Sequence, residues 1–394
     1  MKDIVILSGA RTAIGSFQGA LSSLGAPELG ARAIAGACER AGVSPEDLQQ
    51  VYMGCVLPAG LGQAPARQAA LAAGCPTSTG AITLNKVCGS GMRTVMSAAN
   101  DLRCGEFDLV VAGGMECMSQ APYLAKGIRD GLRLGHGQLV DSMVHDGLWD
   151  VYNDKHMGNC AETCAAEYGI GRESQDAFAI ESYRRAQAAA EDGRLGQEIV
   201  PVEVPQRRGE PVLVDADEEP TRARFDKMPK LRPAFQKDGT VTAANASKIN
   251  DGAAALVLTT AEHAAAQGLR PLARIVAQST FSHDPEWFTT APVNAIRRVL
   301  DRAGLGVGDI DLFEINEAFA VVTQAAMQDL ELDPEKVNVR GGAVALGHPI
   351  GASGARILVT LLHALVHRGG RYGCAGICLG GGEATAMVIE RLSE

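Results

Sequence analysis

ERAGVSPEDLQQV at positions 39–51 is echoed by DRAGLGVGDIDLF at 301–313. Arg40, Ala41, Gly42, Asp47 and Leu48 meet Arg302, Ala303, Gly304, Asp309 and Ile310 at a constant offset of 262. At an offset of 263, Ser90, Gly91 and Arg93 meet Ser353, Gly354 and Arg356. One short echo is within the reach of chance. Two in nearly the same register imply duplicated halves, each with the same order of strands and helices.

Local patterns fit such halves. Pro27 and Glu28 open a stretch whose apolar residues Leu29, Ala33, Ile34, Ala37, Cys38 and Ala41 share one helical face, and Gly42 closes it. Short apolar runs at 4–8, 109–112, 255–259, 273–277 and 312–315 read as strands. Strands that alternate with helices give parallel or mixed sheets. Residues 119–249 differ in character, being polar and rich in charge and proline, with one amphipathic helix expected near 174–190. That stretch is too long for a linker and reads as a covering insertion. The expected division is a first half at 1–118 and 250–270, the insertion at 119–249, and a second half at 271–394.

A chain of 394 residues that is 46% hydrophobic can bury a large core and exceeds the usual single domain. Aromatics are only 4% while glycine reaches 46 residues, an α/β composition of closely packed elements and tight turns. Ten cysteines without a C-x-x-C pair, behind a start that lacks a secretory leader, read as reduced thiols of a cytoplasmic protein. The opening IVILS has the length of a strand, far short of a membrane span. A net charge of −10 argues against nucleic acid as a partner. Between 221 and 237, however, six basic residues (Arg222, Arg224, Lys227, Lys230, Arg232, Lys237) face the single acid Asp226. They are either counter-charges for the acidic run 215–219 or a landing site for a polyanionic small molecule.

Four segments carry chemistry. NKVCGSGMR at 85–93 sets Cys88 on a glycine-rich turn before a helix, where free N–H groups and the macrodipole favour a thiolate and would let it ionise well below the usual ~8.5. GHPIGASGAR at 347–356 fixes His348 in a rigid turn. CLGGGEA at 378–384 puts Cys378 at a strand end before glycines whose N–H groups can face an oxyanion. NEAFA at 316–320 follows an apolar strand and leaves Asn316 either a polar site group or a helix N-cap. A metal is the rival use of Cys and His, but Cys160/Cys164 and Cys374/Cys378 lack the spacing of a zinc knuckle or ribbon, so none is expected. A serine hydrolase would need a G-x-S-x-G elbow that the chain does not have.

Together with SGARTAIGSF at 8–17, these segments resemble the thiolase family from end to end. The resemblance implies an α/β fold of duplicated halves with mixed sheets and layered helices in the order αβαβα, plus the inserted loop domain. It implies that Cys88 takes an acyl group, His348 activates it, and Cys378 moves the proton at the substrate α-carbon. Asn316 would position a water that forms one oxyanion hole with His348, and the N–H groups of Cys88 and Gly380 would form the other. It also implies coenzyme A thioesters and CoA as partners, with no tightly bound cofactor, and a homodimer or homotetramer. The CoA contacts would be Leu148, His156 and Met157 in DGLWDVYNDKHMG, Leu231 and Phe235 in LRPAF, Ala243 and Ser247 around NAS, Ala318 and Phe319 in NEAFA, and Arg222.

The implied reaction joins two acetyl-CoA molecules into acetoacetyl-CoA, reversibly, through an acyl-cysteine. A broader degradative 3-ketoacyl-CoA thiolase is the alternative, and a silent CoA-binding scaffold a remoter one. Phe288 and Thr289 in WFTTAP, and Lys248 where glycine is common in the family, border the expected channel and leave acyl length open.

Overall fold

In the computed structural model, which describes residues 2–392, the internal echo becomes a repeated ladder of strands. Residues 1 and 393–394, the outer ends of the expected halves, lie outside the described residues. The first half supplies β1 (Ile4–Thr12), β2 (Gln50–Gly54), β3 (Gly80–Leu84), β4 (Leu109–Cys117) and β5 (Asn250–Thr260). The second supplies β6 (Ala273–Ser282), β7 (Leu312–Ile315), β8 (Tyr372–Leu379) and β9 (Glu383–Arg391). All five apolar runs read from the sequence lie inside these strands.

In the first half β2 runs parallel to β3 and β4, and the antiparallel pairs β4/β5 and β5/β1 follow. The second half repeats the scheme, with β7 parallel to β8 and then β8/β9 and β9/β6 antiparallel. The mixed sheets of the two halves join edge to edge through Val5↔Arg274 and Ile6↔Ala273. Pairing there satisfies backbone groups that two open edges would leave exposed.

Helices follow the same duplication. α1 (Ala26–Ala41) buries Leu29, Ala33, Ile34, Ala37 and Cys38 against Val5 and Leu7 of β1 and Val111 of β4. Its N-terminal turn is closed by the Gly25 N–H donating to Glu28 Oε2 at 2.7 Å. Gly42 ends it at φ 69°, a left-handed cap that only glycine adopts without cost. In the second half α6 (Ala291–Ala303) ends the same way on Gly304 at φ 67°. The echo at 39–51 and 301–313 is therefore a helix end, its left-handed cap and the short 3-10 turn that leads into β2 or β7.

α1 and α2 (Pro65–Ala72) cover the outer face of the first half, and α6 covers that of the second. The inner layer is α3 (Ser90–Cys104) with α8 (Ser353–Arg368), packed on each other and on strands of both halves. Five layers result. The second echo lies where these two helices cross. A Cβ on Gly91 would stand 2.7 Å from the Ala355 nitrogen, and one on Gly354 would stand 2.4 Å from the Met92 nitrogen. Backbone meets backbone at the matched positions.

Within the insertion, α5 (Arg172–Glu191) is the expected amphipathic helix, but the insertion also holds α4 (Met157–Glu167), which the glycine and polar residues at its start had concealed. Its Cys160 and Cys164 are buried in an apolar cluster. α7 (Ala320–Leu330) packs against both α4 and α5. All ten cysteines are free, and among the described residues no helix is long and apolar enough to cross a membrane.

Gly354→Ala forces backbone and side-chain shifts at the crossing and is expected to cost about 1–3 kcal/mol. Gly308→Ala, where an added Cβ meets nothing within 4 Å, serves as the neutral comparison. Urea unfolding of both variants checks this, and equal midpoints would refute the tight crossing.

Candidate active site

The turn at 85–89 that joins β3 to α3 is built under strain. Val87, a β-branched residue, stands at φ 46°, a left-handed conformation costing roughly 1–2 kcal/mol. Its neighbours hold it there. Ser90 Oγ accepts from the Lys86 N–H at 2.8 Å and donates to the Val87 carbonyl at 2.6 Å, while Asn85 Oδ1 accepts the Val87 N–H at 2.9 Å. Cys88 is thereby turned into a cavity of about 280 Å³, shared with His348 and Gly380.

The Gly380 N–H faces the Cys88 sulfur from the loop between β8 and β9, and Cys88's own N–H also favours its charged form. The expectation of a readily ionised thiol is nevertheless overturned. Burial outweighs both N–H groups and, with a smaller push from the Glu116 carboxylate, raises the thiol to about 12. A helix N-terminus activates a thiolate only where water or a positive charge accompanies it, and here neighbouring apolar walls replace the water.

His348 is neutral for the same reason. Burial, with a smaller push from the Arg356 charge, lowers its pKa to about 3. Its Nδ1 lies 2.6 Å from Ser353 Oγ, whose one proton is directed to the Pro349 carbonyl at 2.9 Å. Ser353 can then only accept from the imidazole, which assigns the proton to Nδ1 and leaves Nε2 as the free base. Nε2 is buried and has no hydrogen-bond partner. The His348 N–H itself is held by Asn250 Oδ1 at 3.0 Å.

Glu116 ties the halves together at this point. Its carboxylate accepts N–H groups from Val56 at 2.9 Å, Leu57 at 3.2 Å and Gly351 at 2.9 Å, so β4 of the first half anchors the loop that carries His348. Burial still raises its pKa to about 7 against the pull of these donors.

Asn316 and Cys378 are not among the lining residues, but Cys378 packs directly against several that are. The capping alternative for Asn316 is excluded, since Phe319 is the N-cap of α7. Asn316 Oδ1 receives the Arg356 guanidinium at 3.5 Å, and Nδ2 is buried without a partner. Cys378, wholly buried at the end of β8, packs with Met157, Phe288 and Phe319. Burial raises its thiol well above the ordinary value, and the Cys88 charge adds to this.

Of the residues read as CoA contacts, Leu148, His156, Met157, Phe235, Ser247, Ala318 and Phe319 line the cavity. His156 stacks on Phe235 at 4.8 Å between centroids, and Phe235 meets Phe319 edge-on at 6.0 Å. Leu231 and Ala243 are exposed and outside the lining. Arg222 is exposed, outside the lining and paired with Glu218 at 3.0 Å. The other five cations of that stretch are also exposed. Met118, Ile249 and Ile350 complete the walls without having been recognised. Ile350 lay within the motif of His348, whereas Met118 carried no signal beyond being apolar.

With the thiol and the imidazole both neutral at rest, alkylation of Cys88 by iodoacetamide, followed on its peptide by mass spectrometry, is expected to rise steadily from pH 6 to 9. A plateau beginning below pH 6 would mean a thiolate–imidazolium pair instead. Ser353→Ala loses the acceptor that selects the tautomer, and kcat is expected to fall about tenfold or more with little change in Tm.

Comparison with known proteins gives a consistent picture. The family model described as thiolase, N-terminal domain, matches residues 4–262, and that described as thiolase, C-terminal domain, matches 269–391. An acetyl-CoA acetyltransferase of Pseudomonas aeruginosa is 52% identical over 392 residues, covering 99% of this chain and all of its own. One from Cupriavidus necator is 54% identical over the same shares. The mitochondrial acetyl-CoA acetyltransferase of Bos taurus is 53% identical over the whole of this chain and 92% of its own.

Proposed function

The chain belongs to the thiolase family, and from that membership we propose that it is an acetyl-CoA acetyltransferase, joining two acetyl-CoA into acetoacetyl-CoA and CoA, reversibly. The observation that carries this reading is the convergence of Cys88, the free Nε2 of His348 and the Gly380 N–H on one cavity. CoA enters as substrate and leaves as product.

In the first half-reaction, Nε2 of His348 takes the Cys88 proton as the sulfur attacks the thioester carbonyl. Because both groups are neutral beforehand, charge appears only as the transition state forms, where it is matched by the N–H groups of Cys88 and Gly380. The CoA sulfur leaves with the proton of the Cys378 thiol, so the imidazole keeps the Cys88 proton on Nε2 and Cys378 becomes a thiolate. One thioester has replaced another, so little free energy is lost.

In the second half-reaction, Cys378 removes the α-proton of a second acetyl-CoA. His348, and a water held by the free Nδ2 of Asn316, stabilise the enolate oxygen. The carbanion attacks the acyl carbon, Cys88 leaves as thiolate, and the imidazolium returns the proton it took. The raised pKa of Cys378 makes its thiolate a strong base, and acylation of Cys88 removes the neighbouring charge that opposes forming that thiolate.

Phe288 is 3% exposed and, with Phe319 at 6.4 Å, closes the acyl end of the cavity. That wall favours a short acyl group over the broader degradative reading. Family membership further supports a homodimer or homotetramer, and Leu134 and Leu139, at 100% and 69% exposure, are apolar surface such an assembly would cover.

After mixing with acetyl-CoA, intact mass is expected to gain one acetyl group in the wild type and in Cys378→Ala, and none in Cys88→Ala. Cys378→Ala is expected to lose condensation by about 10²-fold or more. An active Cys378→Ala would overturn its role, and undiminished kcat/KM for long 3-ketoacyl-CoA would overturn the short-chain reading.

A further inference from the structure

A buried ammonium stands in the wall of this cavity. The stem of Lys248 belongs to the lining, but Nζ leaves it, donating to the Ala246 carbonyl at 3.0 Å and the Val344 carbonyl at 2.8 Å. The same nitrogen lies 5.2 Å from the ring centroid of Tyr183 on α5, a cation–π contact. Among the described residues no carboxylate comes within ion-pair distance; Glu219 and Glu317 act on it only through their field. Burial lowers its pKa to about 8.

The sign of that shift matters. Between about pH 8 and 10.5 the unfolded chain binds a proton that the native one does not, so stability from this group rises with pH there. The charged form is held at a cost to stability, and its retention calls for a role in position.

The segments it joins supply one. Residues 245–247 run against 318–320, with the Ser247 N–H donating to the Ala318 carbonyl at 3.0 Å and the Ala320 N–H to the Asn245 carbonyl at 2.8 Å. The Val344 peptide is gripped from both sides, its N–H by Glu317 Oε2 at 3.0 Å and its carbonyl by Lys248. Four residues later, Asn250 Oδ1 holds the His348 N–H at 3.0 Å. One short stretch thus grips the His348 segment at two points.

We propose that Lys248 is a positioning residue whose ammonium clasps the channel segment bearing Ser247 to the segment bearing His348, keeping a bound thioester in register with the imidazole. This rests on the thiolase reading of the cavity. Removing the clasp should loosen both CoA seating and the base, which a purely structural lysine would not do selectively.

The test is thiolysis of acetoacetyl-CoA by Lys248→Met and Lys248→Ala beside the wild type, with Tm measured for each. In Lys248→Met, KM for CoA is expected to rise and kcat to fall, each about fivefold or more, while Tm stays level or rises. Propylammonium, but not propanol, is expected to restore kcat in Lys248→Ala, and this readout stands even if the Met variant does not fold. The proposal is overturned if both constants of Lys248→Met stay within about twofold of wild type. It is equally overturned if the lost activity follows a lowered Tm and propylammonium restores nothing. Absence of thiolysis in the wild type would instead overturn the functional reading, whatever the variants do.

Discussion

The close approach of α3 and α8 at Gly91 and Gly354 is the constraint on which the rest of the structure depends. Each glycine stands where a Cβ would press into the other helix's backbone, at 2.7 Å from the Ala355 nitrogen and 2.4 Å from the Met92 nitrogen. Because the two helix starts meet there, the turn before α3 and the turn before α8 are brought to the same place. The first carries Cys88 and the second His348. Gly54 and Gly114 belong to the same congestion, each too near the Gly351 carbonyl to bear a side chain. Duplication thus juxtaposes two equivalent turns, and divergence between them leaves a thiol on one and an imidazole on the other.

Burial then decides the electrostatics. The site excludes water so well that a thiol at a helix start is pushed up to about 12 and an imidazole down to about 3. Both effects have one cause, desolvation of the charged form, and they leave the pair neutral until substrate arrives. Nearby charge is kept for holding shape. Glu116 spends its hydrogen bonds on backbone N–H groups of both halves, Glu317 holds Val344, and Arg356 holds Asn316 between Glu314 at 3.6 Å and the amide at 3.5 Å. Lys248 belongs to this set, a cation spent on carbonyls.

Much of the fold was legible in the sequence because it is repeated. Gly42 and Gly304 mark left-handed caps, which no other residue type fills cheaply, and the apolar runs have the length of strands. The short helix α4 was missed, since its glycine and polar first turn carries little periodicity. Among the site residues, Cys88, His348, Gly380 and the stack of His156 on Phe235 were legible as motifs. The place of Arg222 beside Glu218 was not legible, because a basic stretch alone does not say which acid its charge faces.

The sequence by itself determined the two halves and the family and pointed to candidate reacting groups, since each is a matter of residue type and spacing along the chain. Only the tertiary structure decided their condition. The protonation of Cys88 and His348 follows from how deeply each is buried, the tautomer of His348 from where Ser353 sends its single proton, and the reach of Lys248 from the carbonyl that happens to lie 2.8 Å away. Desolvation and hydrogen-bond direction are properties of the surroundings in space, and residues as far apart as 88 and 380, or 248 and 344, become surroundings only when the chain is folded.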